Sequence, residues 1–209
     1  TVGAGLPIIA TLQSLVGTGD AIRRLEGCFS GTLGAITTQL QDNVPFSQAV
    51  AYAMHRGWTE PDPRDDLSGM DVARKALILA RTSGFKAELS DVLVESLYPA
   101  SLADLPLAQF MPQLPLLDDH FQKYCATATQ KGKTLRYLAR VDGAELKVGL
   151  EMVALDGPVG SLRGTDNLVA FYTQRYAEQP LSIRGPGAGA DVTASGLLSD
   201  MIAFGREWD

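Results

Sequence analysis

Between Glu60 and Lys75 the chain places five carboxylates (Glu60, Asp62, Asp65, Asp66, Asp71) and three bases (Arg64, Arg74, Lys75). Pro61 and Pro63 fix their own φ and push Glu60 and Asp62 out of the helical region, so the stretch opens as a stiff loop. It ends as a helix. Ser68 or Asp66 can cap it, and Met70, Val72, Ala73, Ala76, Leu77, Leu79 and Ala80 keep helical apolar spacing up to Gly84. Asp71 and Lys75 stand four residues apart and share a helix face. Carboxylates beside a helix-borne lysine suit a small substrate with an ammonium and a reacting oxygen. The acids would hold the ammonium, and the lysine would give or take a proton. The competing reading is a solvated acidic loop followed by a surface Asp–Lys pair, worth a few tenths of a kcal/mol.

The elements that must position these groups follow from patterning. Pro7 opens a helix through Ile8, Leu12, Leu15 and Val16 to Gly17. Ile22–Phe29 reads as a strand, Ser30-Gly31-Thr32 starts a helix to Leu40, and Pro45 and Ser47 start another that stops at Gly57. Prolines 99, 106 and 112 break the next stretch into short pieces, and Leu117–Gly132 returns to helix. Two alternating strands flank Asp142-Gly143, a strong hairpin signal. Leu168–Tyr172 and Leu181–Ile183 supply further strands before a last helix through Phe204. Helices first and strands later predict an α+β fold, an antiparallel or mixed sheet covered by helices. Residues 1–184 would form the main domain and 185–209 a closing loop and helix.

Two glycine patterns invite a dinucleotide reading. Gly3-x-Gly5 fails because the third position is Ile8 and no adequate strand precedes it. Gly185-Pro-Gly187-Ala-Gly189-Ala190 sits between strand and helix, but no βαβ unit can close behind it. It reads equally as a turn that lets a helix pack closely or as a helix start that greets an anion.

The run T-E-P-D-P-R-D-D-L-S-G-M-D-V-A-R-K resembles the signature of homoserine dehydrogenase, closest to the version in bifunctional aspartate kinase–homoserine dehydrogenases. Val2–Pro7, Ser30–Leu33, Leu117–Asp119, Lys133–Tyr137 and Gly187–Ala194 resemble family blocks in family order. The resemblance implies interconversion of homoserine and aspartate semialdehyde with NADP or NAD, in threonine, isoleucine and methionine biosynthesis. Lys75 would be the catalytic proton donor. Glu60 and Asp71 would bind the substrate ammonium and hydroxyl, and Asp66 would position Lys75. Thr32, Gly57 and Thr59 would shape the substrate pocket, with Gly189 approaching the nicotinamide. Main-chain carbonyls of Val2, Ala4 and Leu6 would hold a monovalent cation, although the glutamate that accompanies them in the family would lie before Thr1. The family also implies a homodimer built on the sheet and, in bifunctional relatives, a covalently linked aspartate kinase. The nucleotide-binding βαβ unit is expected to be missing, leaving the isolated chain inactive. The last helix, with Leu197, Leu198, Met201, Ile202 and Phe204, would then lack its usual partner. A non-catalytic amino-acid sensor or a pure dimerisation module are the readings from other classes.

Composition narrows the field. In 209 residues, 45% are hydrophobic and 20% charged, as in an ordinary globular protein. A net charge of −6 and no basic stripe argue against nucleic acid. No apolar run reaches membrane-spanning length, and the start lacks the basic region of a signal peptide. Cys28 and Cys125 make no disulfide framework, so a reducing cytoplasm is expected. His55 and His120 lack metal-ligand spacing.

Overall fold

In the computed structural model, residues 2–143 and 145–206 are described. Thr1, Ala144 and Glu207–Asp209 lie outside them. The elements run α1 (Ile8–Gly17), β1 (Ile22–Cys28), α2 (Gly31–Gln41), α3 (Phe46–His55), α4 (Arg64–Leu67), α5 (Met70–Thr82), β2 (Val92–Val94), α6 (Leu107–Phe110), α7 (Asp118–Gln130), β3 (Lys133–Asp142), β4 (Glu145–Ala154), β5 (Asp166–Thr173), β6 (Leu181–Pro186) and α8 (Ala190–Arg206). The strands form a single mixed sheet in the order β2-β4-β3-β1-β5-β6. Every pairing is antiparallel except β2 with β4. The expected α+β class therefore holds, and helices cover one sheet face.

Strand alternation sorts the two faces. Leu135, Tyr137, Ala139 and Val141 of β3, Leu25 of β1, and Val169 and Phe171 of β5 point into a continuous core with α2, α5 and α7. Phe46 of α3 stacks on Phe121 of α7 with ring centroids 4.1 Å apart, locking those helices together. On the opposite face Leu138, Cys28, Leu168 and Ala170 meet Val159 and Leu162 of the β4–β5 connection. Beyond that small cluster the same face carries ion pairs. Arg140 Nη2 lies 2.8 Å from Glu151 and 3.3 Å from Glu26, and Arg24 lies over the Tyr172 ring. No helix among the described residues is long and apolar enough to cross a membrane.

Four local expectations need correction or refinement. The cap of α5 is neither Ser68 nor Asp66: Gly69, at φ +74°, occupies the N-cap without a side-chain cap bond. Only glycine fits, because the Tyr137 hydroxyl stands where a Cβ would project. The acidic stretch is not all loop, since Arg64–Leu67 makes a helical turn, α4. The proline-broken region holds a strand, β2, alongside its 3-10 turns. Finally, a division after residue 184 cuts β6, which stays paired with β5 as far as Pro186.

Candidate active site

The end of β1, the start of α2, the loop after α3, the face of α5 and the end of β6 converge on a cleft of about 470 Å³. Its walls include Lys75, Asp71, Asp66, Glu60, Thr32, Gly57 and Gly189. Thr59 is half-buried next to Glu60 but is not part of the wall. The structure thus gathers seven of the eight candidates for substrate and nicotinamide into one cavity.

Lys75 is delivered by α5, whose Val72, Ala73, Ala76 and Leu79 are buried and fix its rotation. Its Nζ lies 2.7 Å from Asp71 Oδ2 and donates to the Phe29 carbonyl at 2.9 Å. Phe29 can present that carbonyl because its ring folds over Gly27, where any Cβ would collide with it. An ammonium has three N–H donors. Among the described residues, two have partners and one is open to a ligand.

Asp66 does not reach Lys75. Its Oδ2 accepts from the Glu60 amide at 2.8 Å and so shapes the turn that carries Glu60. Burial pushes the Asp66 carboxyl above the usual range, helped by the charges of Glu60 and Asp65, against the Glu60 amide and nearby Thr32, which pull it down. The single Thr32 hydroxyl proton goes to the Trp58 carbonyl at 2.5 Å, so desolvation dominates at Asp66. That bond also seats the Gly57–Trp58 wall, where Gly57 has φ +66°.

A brace behind the acids was not visible in the residue pattern. Arg64 grips Asp62 through Nε at 2.9 Å and through Nη2, and donates Nη1 to the carbonyls of Ala103, at 2.7 Å, and Leu105. The Arg64 guanidinium holds the Asp62 carboxyl below its ordinary range, chiefly through the side-chain hydrogen bond. Trp58, Thr165 and the Phe29 carbonyl are further wall groups that spacing alone did not single out. Trp58 could have been found as an aromatic placed next to the acidic run.

On the opposite wall, Pro186–Gly189 is glycine-rich and open. Gly189 has φ +121°, and a Cβ there would meet nothing within 4 Å. Gly187 presses on the buried Asn167 side chain, whose Oδ1 has no hydrogen-bond partner among the described residues. Bare backbone at this wall fits the approach of a flat ring. Val2, Ala4 and Leu6 lie elsewhere, on a turn packed against α8 and β6. The Leu6 carbonyl already accepts from Ile8 at 2.7 Å, and the described residues hold no cluster of metal-binding side chains.

The sequence profile named Homoserine dehydrogenase matches residues 7–202. The chain belongs to the homoserine dehydrogenase family. It is 50% identical over 205 residues to the chloroplastic bifunctional aspartokinase/homoserine dehydrogenase 2 of Zea mays, covering 97% of this chain and 22% of that protein. It is 46% identical over 215 residues to the homoserine dehydrogenase of Emericella nidulans, covering 97% of this chain and 58% of that protein. A Candida auris protein of unknown function superposes with a TM-score of 0.94 at 44% identity, over 99% of this chain and 60% of that one. A hyperthermophilic archaeal homoserine dehydrogenase in complex with NADPH superposes with a TM-score of 0.70 at 25% identity, over 97% of this chain and 53% of that one. This homoserine dehydrogenase region therefore spans only part of the length of each relative.

Proposed function

We propose that this chain is the substrate-binding part of an oxidoreductase that reduces aspartate 4-semialdehyde to homoserine. The observation that supports it most is the Lys75 ammonium, held by Asp71 and Phe29 with one N–H left open among the described residues, in a cleft bearing three carboxylates. Glu60, Asp66 and Asp71 outnumber Lys75, so the cleft favours a substrate ammonium. Glu60 and Asp71 hold that ammonium and the hydroxyl. Lys75 orients the carbonyl oxygen and delivers a proton as negative charge develops there. A reduced nicotinamide at the Gly187–Gly189 wall supplies the hydride. Asp66 acts one step back, by setting the Glu60 backbone.

The described residues contain no phosphate-binding βαβ turn, and the one parallel strand pair, β2 with β4, does not make one. We expect this chain alone to oxidise no NADPH in the presence of semialdehyde. Measurable oxidation by the purified chain would overturn that. In the full-length enzyme, Lys75→Ala should lower kcat by about 100- to 10,000-fold, the range of a lost general acid, with KM far less affected. Activity close to the parent would remove the role of Lys75.

Two assignments complete the reading. The sheet face bearing Arg24, Glu26, Arg140, Lys147 and Glu151 is the surface we assign to homodimer formation, and a monomeric mass in sedimentation would count against it. Cys28 and Cys125 are free and buried, which fits a reducing cytoplasmic setting.

A further inference from the structure

Asn167 is a buried amide placed directly behind the glycine wall of the cleft. It stands on β5, in the alternation that sends Val169 and Phe171 into the core, and is 1% exposed. Its Oδ1 has no hydrogen-bond partner among the described residues. Folded interiors leave few such acceptors, because each forfeits its bonds to water. The Gly187 backbone lies on the flat of this amide. A Cβ there would stand 2.0 Å from Asn167 Cγ and Nδ2 and 2.4 Å from Oδ1. Gly187 lines the Lys75 cleft and Asn167 does not, so the unpaired oxygen sits one glycine behind the wall. Donors are close by. Among the described residues the amides of Gly187, Ala188 and Gly189 have no hydrogen-bond partner either.

The two sides of this contact are held differently. Just before Asn167, the Gly164 amide donates to Thr38 Oγ1 at 3.1 Å. Helix α2 also presses on the Gly164 and Thr165 carbonyls, which a Cβ on Gly34 or Gly31 would meet at 2.7 and 3.2 Å. Further back, Arg136 Nη2 donates to the carbonyls of Gly160, at 2.9 Å, and Leu162, at 2.6 Å. Asn167 is thus on the fixed side. Gly187 is on the loose side, since β6 is an edge strand and α8 buries no residue. A small tilt of residues 187–189 would disturb little packing and would give Oδ1 a donor.

We propose that Asn167 is a positioning residue for the nicotinamide wall. In the cofactor-loaded enzyme an amide of residues 187–189 donates to Asn167 Oδ1, and that bond holds the segment in place under the ring. The inference rests on the placing of a reduced nicotinamide at Gly187–Gly189. It needs no contact between Asn167 and the cofactor. Part of the cofactor's binding free energy then comes from satisfying a protein acceptor that the wall as it stands leaves unpaired.

Three variants of the full-length enzyme test this. Asn167→Leu keeps the forked outline and removes the acceptor, Asn167→Ala removes it without crowding Gly187, and Asn167→Asp keeps it. In the parent, NADPH should slow amide hydrogen exchange at residues 187–189. Asn167→Leu and Asn167→Ala should lose that slowing and bind NADPH about five- to ten-fold more weakly, the worth of one hydrogen bond. Asn167→Asp should keep the slowing and most of the affinity. Homoserine binding, read by calorimetry, should be unchanged in all three. Equal slowing or unchanged NADPH affinity in the variants that lack the acceptor would overturn the role of Asn167 and leave the cofactor wall standing. Failure of Asn167→Asp to rescue, or a parallel loss of homoserine binding, would reduce Asn167 to a packing residue. No slowing at residues 187–189 in the parent would remove the cofactor wall itself, and this role with it.

Discussion

Two carboxylates in the acidic turn, four residues apart, titrate in opposite directions, and each leaves a signature in stability. Asp62 is held low by Arg64, so the folded state releases its proton more readily than the unfolded chain. Its contribution is present above the ordinary carboxylate range and is lost as pH falls through that range to its lowered folded value. Asp66 is pushed up by burial, so the folded state keeps its proton longer. Its contribution is present below the ordinary range and declines as pH rises through it. Asp62→Asn should therefore lower the urea midpoint at pH 7 and converge on the parent in strong acid. Asp66→Asn should at pH 7 hold or raise the midpoint, because the amide oxygen can still accept from Glu60 while the buried charge is gone. The same variant should weaken homoserine binding in the full-length enzyme, read by calorimetry. Matching pH profiles for the two variants would refute this assignment of opposite environments.

At the level of elements, the acidic turn is oriented from both ends. Arg64 ties α4 to the carbonyls of Ala103 and Leu105, and Gly69 lets α5 start against Tyr137. Gly69→Ala combines a left-handed φ with a collision against a buried ring, and should destabilise by about 2–4 kcal/mol. Chemical denaturation measures this directly, and a cost below about 0.5 kcal/mol, the size of a neutral surface change, would refute the steric argument. Ser30→Ala removes an N-cap bond to the Leu33 amide and should cost about 1 kcal/mol. These two positions also mark what sequence could convey. Ser30 was legible because a cap is local, written in neighbouring residues, as were α1, α2, α7 and the β3–β4 hairpin. Gly69 as a cap was not, because its reason is a tyrosine 68 positions later, and β2 exists only through its parallel pairing with β4. The Lys75–Asp71 pair lay on one helix face by spacing, whereas the Phe29 carbonyl, 46 residues away, required the fold. Asp66 looked able to reach the lysine or cap α5, yet the nearby Glu60 amide claims it.

For the whole molecule, the two unpaired surfaces differ in kind. The open sheet face is charged and half-exposed, while α8 has no buried residue and shows Leu198, Met201 and Ile202 at 57%, 71% and 49% exposure. An apolar strip of that kind seeks cover. Met201→Lys with Leu198→Lys should reduce concentration-dependent light scattering of the chain without changing its thermal midpoint, since neither side chain belongs to the core. An unchanged scattering curve would show that α8 is not the adhesive surface.

The N-terminal turn and α8 meet glycine to glycine. A Cβ on Gly196 would stand 2.9 Å from the Gly5 Cα, and one on Gly5 would run into the Val192 carbonyl. Since α8 begins directly after the Gly187–Gly189 wall, the angle at which that wall faces Lys75 is set by two bare backbones in contact. Such a joint has no rotamers to relax. Any larger residue at either glycine would act as a wedge, tilting the helix and altering the aperture of the cleft from well outside it.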